Sequence, residues 1–354
     1  FNRIARQNAL KYSNIFKEMT ERMGFWIDTD HPYVTYETPY IESLWAVIKK
    51  IWDKKLLYQA HRVVPFCTRC GTPLSSHEVA QGYQKITERS VYLKFKVKSK
   101  KFAGGQPVKP NTSILAWTTT PWTLPGNVAL AVGKHISYVV ARKDTERYII
   151  ASDVAQTVLG APLEIESEFK GSDLVGLQYE PLFAVKQLVS KKSYRVYEAD
   201  FVSTTEGTGV VHTAVMYGED DYALGTKLDL PKIHTVDEQG KFIGVSRELD
   251  GKQVKDPKTE DEVLTILTEQ GNVLKTQDYE HDYPFCWRCD SPLLYYAKDS
   301  WFIKMSAVNK QLLKNNETVN WVPEHIKHGR FGQWLADGKD WAISRERYWG
   351  TPLP

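Results

Sequence analysis

The fold of this chain depends on the stretch Ala116-Trp117-Thr118-Thr119-Thr120-Pro121-Trp122-Thr123-Leu124-Pro125-Gly126-Asn127. The apolar Ile114 and Leu115 just before it are expected to end a buried strand. The two prolines cannot continue a strand ladder, so the chain is predicted to leave a sheet here. The break puts four threonine hydroxyls and several backbone N–H groups at the mouth of that sheet, beside two indoles that can bound a pocket. Such a rim suits a polar ester or a ribose; the alternative is a strand edge filled by β-branched threonines.

A second candidate segment is Glu206-Gly207-Thr208-Gly209-Val210-Val211-His212-Thr213-Ala214, followed by Gly218-Glu219-Asp220-Asp221-Tyr222. The glycines on both sides of Thr208 allow the backbone to approach a ligand closely. The two valines predict a buried strand that brings His212 to its end, and Asp221 begins a helix that can present its carboxylate to the same cleft. The alternatives are a histidine satisfied in the interior and an acidic helix start favoured by the helix dipole.

The composition is that of an ordinary globular protein, with 354 residues, 42% hydrophobic and 12% aromatic, long enough for more than one domain. A net charge of +3 is too small to indicate a nucleic-acid partner by itself. No apolar run approaches the roughly 18 residues of a membrane span, and the first residues lack the apolar core of a signal peptide. Since Phe1 is not Met and Pro354 stops inside an unfinished motif, we expect a piece of a longer protein.

The four cysteines form two CxxC pairs, Cys67 with Cys70 and Cys286 with Cys289. Each pair can place two thiolates on one side of a tight turn, and two pairs complete the tetrahedron that structural zinc prefers. The pairs are far apart in sequence, so an intervening domain with its ends close together must join them. We predict one structural Zn²⁺ in a reducing, cytoplasmic compartment; the alternative is four unligated buried cysteines.

The remaining sequence predicts helices at both ends and a β-rich centre. Residues 1–23 favour one helix ending near Gly24, and apolar spacing favours another that starts at Pro39. Val91–Val97 alternates apolar and basic residues, which predicts a half-exposed strand. Lys98–Pro110 predicts a hairpin connection, whose lysines are either solvated or in contact with phosphate. Further strands are expected at 128–132, 138–141 and 148–150, and helical turns at 153–159 and 259–271.

The threonine-rich stretch closely resembles the corresponding peptide of the editing insertion in isoleucyl-tRNA synthetases, which are class I enzymes. Valyl and leucyl relatives typically carry Thr-Thr-Arg-Pro, where this chain has Thr119-Thr120-Pro121 after Thr118. The segment 206–222 resembles the second block of the same insertion in order and spacing. It departs in one place, because the family usually has Ala-Pro-Ala-Phe where this chain has Ala214-Val215-Met216-Tyr217; His212 stays in register.

Three further segments resemble the same enzymes. Residues 24–28 and 42–45 are similar to the segment that connects the nucleotide-binding half-domain to the editing insertion. Residues 340–352 are similar to the segment in which the chain returns from the insertion to the synthetic domain. Lys304-Met305-Ser306 is similar to the segment after the insertion, so it receives no catalytic role. The sequence contains neither a His-x-Gly-His signature nor a true adenylate-stabilising lysine loop. ATP and Mg²⁺ are therefore expected only in the synthetic site of the parent enzyme.

The resemblance implies an α/β (α+β) fold class. It implies a β-barrel-like editing domain with surrounding helices, inserted through a zinc-knuckle stalk into parts of a class I Rossmann-type synthetic domain. The implied segments are a helical connective segment at 1–66, the first knuckle and stalk at 67–86, the editing domain at 87–281, the second knuckle at 282–300 and the return segment at 301–354.

The resemblance implies hydrolysis of the ester of mischarged valyl-tRNA(Ile), while the parent enzyme attaches isoleucine to tRNA(Ile). The implied partners are the 3′-terminal CCA end, the valine moiety and the rest of the synthetase chain, with no membrane. The implied catalytic residues are Thr118, Thr119, Thr120, Asp221 and His212. The implied substrate-binding residues are Trp117, Trp122, Thr123, Gly207, Thr208, Gly209 and Tyr283. Asp221 would pair with the substrate's α-ammonium, His212 would contact the ribose and limit side-chain size, and Trp122 and Tyr283 would wall the valine.

Two alternative functions are also compatible with the sequence. One is a zinc-stabilised module that binds the acceptor end of tRNA without chemistry, and a deacylation assay separates it from an enzyme. The other is an editing domain of the valyl or leucyl type, which the Thr118–Trp122 peptide disfavours.

Overall fold

The computed structural model describes residues 1–346 and 350–354, so Arg347, Tyr348 and Trp349 of the return motif lie outside the described residues. The chain divides into two compact units. The first consists of Phe1–His61 and Asp299–Pro354, and the second is Arg62–Lys298. The finer division into knuckles, stalk and central domain stays a prediction.

Regular elements cover most of both units. The α-helices of the described residues are α1 (Asn2–Leu10), α2 (Ser13–Arg22), α3 (Thr38–Asp53), α4 (Ser76–Ala80), α5 (Ser152–Leu159), α6 (Gly171–Leu174), α7 (Glu219–Leu228), α8 (Pro257–Glu269), α9 (Asn309–Glu317) and α10 (Arg330–Ala336). The strands are β1 (Leu57–Cys67), β2 (Thr72–Pro73), β3 (Tyr83–Lys96), β4 (Thr112–Thr118), β5 (Ala129–Val132), β6 (Ser137–Lys143), β7 (Glu146–Ala151), β8 (Glu164–Lys170), β9 (Arg195–Glu198), β10 (Val210–Thr213), β11 (Val273–Pro284), β12 (Leu294–Ile303) and β13 (Trp341–Ala342). Short 3₁₀ helices lie at Pro121–Gly126, Lys186–Leu188, Met305–Ala307 and Glu324–Ile326.

Helices make up most of the regular structure of the first unit. The prediction of one helix over residues 1–23 is wrong, because the chain forms α1 and α2 with a turn at residues 11–12 between them. Tyr12 has φ −106° and ψ 6°, which ends the helical path. The predicted helix at Pro39 is confirmed as α3, with the proline in its first turn. None of the helices in the described residues combines the length and apolar character that crossing a membrane requires.

The second unit contains two mixed sheets and a short antiparallel pair. The larger sheet has the order β11-β3-β4-β7-β6-β8, in which β4 and β7 are parallel. The smaller has the order β10-β5-β9, in which β5 and β9 are parallel. The expected barrel does not form within the described residues: β11 and β8 remain edges of the larger sheet, because β5, β9 and β10 pair with one another instead of closing it. The mixed α/β class is confirmed.

Strand β3 is more buried than the sequence pattern predicts. Val91, Leu93 and Phe95 are fully buried on one face, and Tyr92 is also buried on the other. The second face is covered because Tyr92 and residues of β4, β6 and β7 pack with helix α5 in a separate apolar cluster. Lys94 also lies largely inside, where its ammonium pairs with Glu146 at 3.0 Å. The expected half-exposed strand is therefore wrong, while the hairpin between β3 and β4 is confirmed by their antiparallel register.

The threonine-rich stretch marks the end of β4. This strand continues to Thr118, three residues beyond the expected end at Leu115, and the chain then enters the buried 3₁₀ helix Pro121–Gly126. Strand β10 pairs with β5, which places His212 opposite Leu130. Helix α7 follows directly and carries Asp221 in its first turn. The predicted exit from the sheet, the strand before the histidine and the helix at the aspartate are all present.

Candidate functional site

A cavity of about 350 Å³ lies in the second unit where these three elements meet. Its walls come from the threonine-rich stretch, the glycine loop before β10, β10 itself and the start of α7. The sequence-predicted residues that line it are Trp117, Thr118, Thr119, Thr120, Thr123, Gly207, Thr208, Gly209, His212 and Asp221. Ten of the twelve predicted catalytic and substrate-binding positions therefore share one cavity, within the size range of small-molecule sites.

The threonine hydroxyls form a connected row along one wall. Thr118 Oγ1 accepts a hydrogen bond from the backbone N–H of Thr120 at 3.1 Å, and the hydroxyls of these two residues lie 3.1 Å apart. Thr123 Oγ1 donates to the carbonyl of Thr120 at 2.8 Å. Thr119 also lines the cavity, and its hydroxyl has no hydrogen-bond partner within residues 1–346 and 350–354. The hydroxyls of Thr118, Thr120 and Thr123 are held by hydrogen bonds within the row, so the Thr119 hydroxyl is the one available to a ligand.

His212 is a neutral, buried side chain that holds this row. Its Nε2 lies 3.0 Å from Thr123 Oγ1. Since the single hydroxyl proton of Thr123 points to the Thr120 carbonyl, Nε2 must carry the proton and donate to Thr123. Burial lowers the pKa of His212 to about 4, which keeps the ring uncharged at neutral pH. The imidazole therefore orients the threonines and adds no positive charge to the cavity.

The glycine loop before β10 brings main chain against the threonine-rich wall. Gly207 and Gly209 have φ of +74° and +71°, a region that favours glycine. A side-chain carbon at Gly207 would lie 3.1 Å from the Trp117 ring, and one at Gly209 would lie 2.5 Å from Ala151 Cβ. Thr208 Oγ1 donates to the carbonyl of Leu115 at 2.8 Å, so this loop is fastened to β4. Close packing explains both glycines, and it leaves backbone exposed to the cavity.

Asp221 is the acidic group at the start of α7 and lies partly exposed at the cavity wall. Its Oδ2 accepts a hydrogen bond from the backbone N–H of Ala214 at 3.0 Å. Burial raises the pKa of Asp221 to about 7, nearby Asp220 adds to the rise, and the Ala214 N–H opposes it. A side-chain carbon at Gly218 would lie 2.9 Å from Oδ2, so glycine leaves room for the carboxylate. A cation bound here would favour the ionised form.

Two predicted walls of the cavity, Trp122 and Tyr283, do not line it. Trp122 belongs to the buried 3₁₀ helix and is 3% exposed, because its indole packs edge-on against Tyr217 at 5.2 Å. The Tyr283 hydroxyl donates to the carbonyl of Leu293 at 2.7 Å, and the Lys255 ammonium lies over its ring. Both aromatic side chains pack in the protein interior. They do not line the cavity, contrary to the expectation from the resemblance.

Several lining residues were not singled out from the sequence. Tyr217 is an aromatic residue of the lining, whereas the resemblance had implied Trp122 and Tyr283 as the aromatic walls. Glu206 lines the cavity and accepts a hydrogen bond from Tyr279 at 2.8 Å. Phe201 and Ser203 come from the loop after β9. No residue spacing marks this loop, because only the tertiary fold brings it to the cavity.

The four cysteines are brought together, as predicted. Their sulfur atoms all lie within 4.8 Å of one another. Cys67 and Cys70 each lie 3.5 Å from Cys289, and Cys70 lies 4.0 Å from Cys286. With Zn–S bonds of roughly 2.3 Å, four thiolates on a tetrahedron lie roughly 3.8 Å apart. The donor set and its spacing fit one tetrahedral metal ion of the zinc type.

The two cysteine turns are built alike, which supports a shared ligand. Gly71 and Asp290, the residues just after the second cysteine of each pair, have φ of +63° and +53°. Their N–H groups donate to the carbonyls of Cys67 and Cys286, each at 2.8 Å. Helix α4, which follows the first turn, contacts the second turn, because Glu78 Oε1 accepts a hydrogen bond from Arg288 at 2.9 Å. This framework holds the sulfur atoms of both turns in place.

Comparison with known proteins assigns the chain to a family. Residues 1–354 match the family model described as tRNA synthetases class I (I, L, M and V). The chain is 49% identical over its full length to an isoleucine–tRNA ligase of Clostridium novyi (strain NT) and 47% identical to that of Clostridium tetani (strain Massachusetts / E88). It is 46% identical over 353 residues to isoleucine–tRNA ligase 2 of Bacillus thuringiensis subsp. konkukian (strain 97-27). In each case it covers 33% of the relative, so the chain spans about a third of the length of these relatives.

Two solved structures resemble part of the chain more distantly. The crystal structure described as GlLeuRS-CP1 covers 52% of this chain and 98% of its own, with a TM-score of 0.40 and 15% identity. The editing domain of the P. knowlesi cytosolic leucyl-tRNA synthetase covers 54% of this chain and 86% of its own, with a TM-score of 0.33 and 15% identity.

Proposed function

We propose, from the premise that this chain belongs to the class I tRNA synthetases (I, L, M and V), that it carries the proofreading site of an isoleucine–tRNA ligase. In this proposal the chain hydrolyses the ester of mischarged valyl-tRNA(Ile). The observation that carries the proposal is the single cavity that holds three consecutive threonines and the carboxylate of Asp221. The 45–49% identity to isoleucine–tRNA ligases supports the choice of isoleucine within the family.

The proposed substrate contacts two chemically different parts of the cavity lining, the carboxylate of Asp221 and the threonine hydroxyls. An aminoacyl ester of tRNA carries an α-ammonium group close to its ester carbonyl. Of the two acidic residues in the lining, Asp221 is assigned to this group, because the Glu206 carboxylate already accepts a hydrogen bond from Tyr279. A hydrogen bond between ionised partners is about twice as strong as a neutral one. The ammonium also favours the ionised form of Asp221, whose pKa is raised in its absence. The ester and the terminal ribose then lie along the threonine hydroxyls and the backbone of residues 207–209.

Ester hydrolysis in this cavity proceeds by attack of a positioned water. The reaction breaks the bond between the valine carbonyl carbon and the ribose oxygen, and water supplies the hydroxyl of free valine and a proton for the ribose. Thr118 and Thr120 lie 3.1 Å apart at their hydroxyls and bind the ester region, while the free hydroxyl of Thr119 meets the water. Orientation and hydrogen bonding at the developing negative charge lower the barrier. His212 positions Thr123 and does not act as a base through Nε2, because the Thr123 hydroxyl gives its proton to the Thr120 carbonyl and Nε2 must therefore donate to it.

Binding alone cannot distinguish valine from isoleucine strongly enough, and selective hydrolysis of the valyl ester adds the missing discrimination. One methylene in an apolar pocket is worth only about 1–3 kcal/mol, and the isoleucyl enzyme is itself the worked example from which this limit is taken. A second site that is too small for isoleucine accepts only the smaller valine and removes it. The proposed cavity is that second site, and His212 contributes to its size limit.

The other functions assigned to this chain follow from the same proposal. Cys67, Cys70, Cys286 and Cys289 hold a structural Zn²⁺ that fixes the ends of the second unit. The 3′-terminal CCA end of tRNA(Ile) delivers the ester to the cavity in the cytoplasm. ATP and Mg²⁺ act in a Rossmann-type synthetic domain completed by the rest of the parent chain.

Release of free valine from valyl-tRNA(Ile) tests the proposal. A chain that edits shortens the lifetime of the ester, whereas a zinc-stabilised module that only binds the acceptor end leaves it unchanged or protects it. A valyl-type or leucyl-type editing domain instead acts on the wrong amino acid attached to its own tRNA. Parallel assays with mischarged tRNA(Val) and tRNA(Leu) separate these cases. Absence of hydrolysis of valyl-tRNA(Ile) by folded protein would reject the proposed function.

A further inference from the structure

Tyr217 is an aromatic wall of the cavity that the chemistry of ester hydrolysis does not use. It lines the same cavity as Asp221, four residues further along the chain, and it is 6% exposed. Its backbone N–H donates to the carbonyl of Ala214 at 2.9 Å, in the turn that also provides the N–H bound by Asp221. The ring therefore lies on the part of the chain that holds the proposed ammonium site.

The phenol oxygen of Tyr217 is held by a clamp of main-chain donors, the N–H groups of Thr235 and Val236. These donate to it at 2.6 and 2.8 Å. The Thr235 hydroxyl lies 3.1 Å from the same oxygen and completes its surroundings. Both clamp residues are fully buried. Two buried N–H donors on one oxygen leave the ring little freedom to turn, because any rotation would leave those donors unsatisfied.

The ring of Tyr217 is also supported from behind. Trp122 packs edge-on against it with centroids 5.2 Å apart, and Tyr296 lies 6.1 Å away. A side-chain carbon at Gly126 would come within 3.0 Å of Tyr217 Cε2, so glycine allows this close approach. The Tyr217 ring is thus held by packing against Trp122 and by the hydrogen bonds to its phenol oxygen. A larger ligand cannot displace the ring without breaking several of these contacts.

We propose that Tyr217 is a specificity-determining residue whose clamped ring limits the size of the aliphatic side chain that the cavity accepts. The inference rests on the proposed function and adds to it a residue that makes no bond to the reacting atoms. A ligand anchored by its ammonium at Asp221 has its side chain close to the same turn, where the ring occupies the space that an extra methyl group needs. Trp122 acts indirectly, by packing against this ring.

Two substitutions and one matched control test the proposal. Tyr217→Leu removes the ring while keeping an apolar side chain, and Tyr217→Phe removes only the clamped oxygen. Tyr179→Phe is the control, because Tyr179 is buried, donates its hydroxyl to Asn127 Oδ1 at 2.8 Å, packs against Phe95 and Tyr194, and does not line the cavity. Each variant is assayed for kcat/KM on valyl-tRNA(Ile) and isoleucyl-tRNA(Ile), after its folding has been checked by thermal unfolding.

The ratio of the two kcat/KM values is the decisive quantity. Tyr217→Leu should lower the preference for the valyl ester at least about tenfold, the scale of one methylene in an apolar pocket. Tyr217→Phe should lower it by less, and Tyr179→Phe should leave it unchanged. A wild-type ratio in folded Tyr217→Leu would overturn the proposal; if that variant does not fold, a wild-type ratio in Tyr217→Phe would overturn it.

A binding measurement separates size selection from a general loss of structure. Amide-linked valyl- and isoleucyl-adenosine resist hydrolysis, and calorimetry gives their affinities directly. Tyr217→Leu should strengthen binding of the isoleucyl compound relative to the valyl compound, whereas a damaged fold would weaken both, which would count against the proposal. If the wild-type chain fails to hydrolyse valyl-tRNA(Ile), the proposed function fails; if it hydrolyses selectively and the Tyr217 variants match it, only the role of Tyr217 fails.

Discussion

Asp221→Asn removes the acidic charge proposed to bind the substrate's ammonium, while it keeps the shape of the side chain. The asparagine carbonyl can still accept the hydrogen bond from the Ala214 N–H, which is 3.0 Å long in the wild type. Removing one partner of a buried ion pair costs about 3–5 kcal/mol, and the partial exposure of Asp221 lowers this to about 2–4 kcal/mol. At about 1.4 kcal/mol per factor of ten, kcat/KM for valyl-tRNA(Ile) should fall by roughly 30- to 1,000-fold.

The matched control is Asp220→Asn, which makes the same change of charge one residue earlier in α7. Asp220 is exposed and does not line the cavity, so its loss should change kcat/KM by less than about threefold. Labelled valine released from valyl-tRNA(Ile) gives the rates of both variants. Equal activity of Asp221→Asn and Asp220→Asn would refute the role of Asp221 in binding the ammonium.

The pH dependence gives an independent check on the same residue. Because the pKa of Asp221 is raised to about 7 in the free protein, kcat/KM should fall as the pH drops below about 7. The loss reflects protonation of the group that must be anionic to bind the ammonium. A kcat/KM that stays flat between pH 5 and 7 would contradict this assignment.

Stability should respond to the same substitution with a defined sign. A carboxyl with a raised pKa contributes stability that is present below its unfolded pKa of about 4 and is lost as the pH rises through about 7. The full rise corresponds to about 4 kcal/mol, and partial exposure of Asp221 reduces it to about 1–3 kcal/mol. Asp221→Asn should therefore unfold at a higher temperature than wild type at pH 8, with a smaller difference at pH 4.

Three further predictions concern the metal, the size limit and the threonine row. Freshly purified, chelator-free protein should contain about one zinc per chain by elemental analysis, and Cys70→Ser should lower this content; less than half an equivalent in the wild type would contradict the metal site. His212→Ala should raise hydrolysis of isoleucyl-tRNA(Ile) relative to the valyl ester by about tenfold, and an unchanged ratio would reject its part in the size limit. Thr123→Val leaves the His212 N–H without an acceptor, so urea unfolding should show a loss of about 1–3 kcal/mol; equal stability would contradict the assigned bond.

The location of the cavity could be predicted because most of its lining residues lie in two short segments with local signals. Prolines at 121 and 125 require the chain to leave β4, which exposes the threonines at the strand end. Val210 and Val211 place His212 in the next strand, and Gly218 starts the helix of Asp221. These features are set by local backbone geometry, so they can be predicted from a single sequence.

The walls of the cavity could not be predicted in the same way. Trp122 and Tyr217 are both aromatic, and which of them faces the cavity depends on the hydrogen bonds of Tyr217 to Thr235 and Val236, eighteen and nineteen residues away. Tyr283 likewise turns toward Leu293 because the carbonyl there accepts its hydroxyl. Tertiary partners decide these orientations, and residue type alone does not reveal them.

The arrangement of the sheets could not be predicted from the sequence for a related reason. A basic and apolar alternation in β3 indicates one exposed face, but helix α5 belongs to an apolar cluster that covers that face. Strand pairing between β5, β9 and β10 leaves the larger sheet open, and pairing partners far apart in sequence are not marked by local periodicity.

The most direct measurement is a crystal structure of this protein with amide-linked valyl-adenosine. We predict that the valine ammonium lies within roughly 3 Å of an Asp221 carboxylate oxygen. We also expect the amide to lie beside the hydroxyls of residues 118–120 and the isopropyl group to face the Tyr217 ring. A ligand bound in the same cavity with its ammonium away from Asp221, or bound elsewhere on the protein, would refute the proposed substrate site.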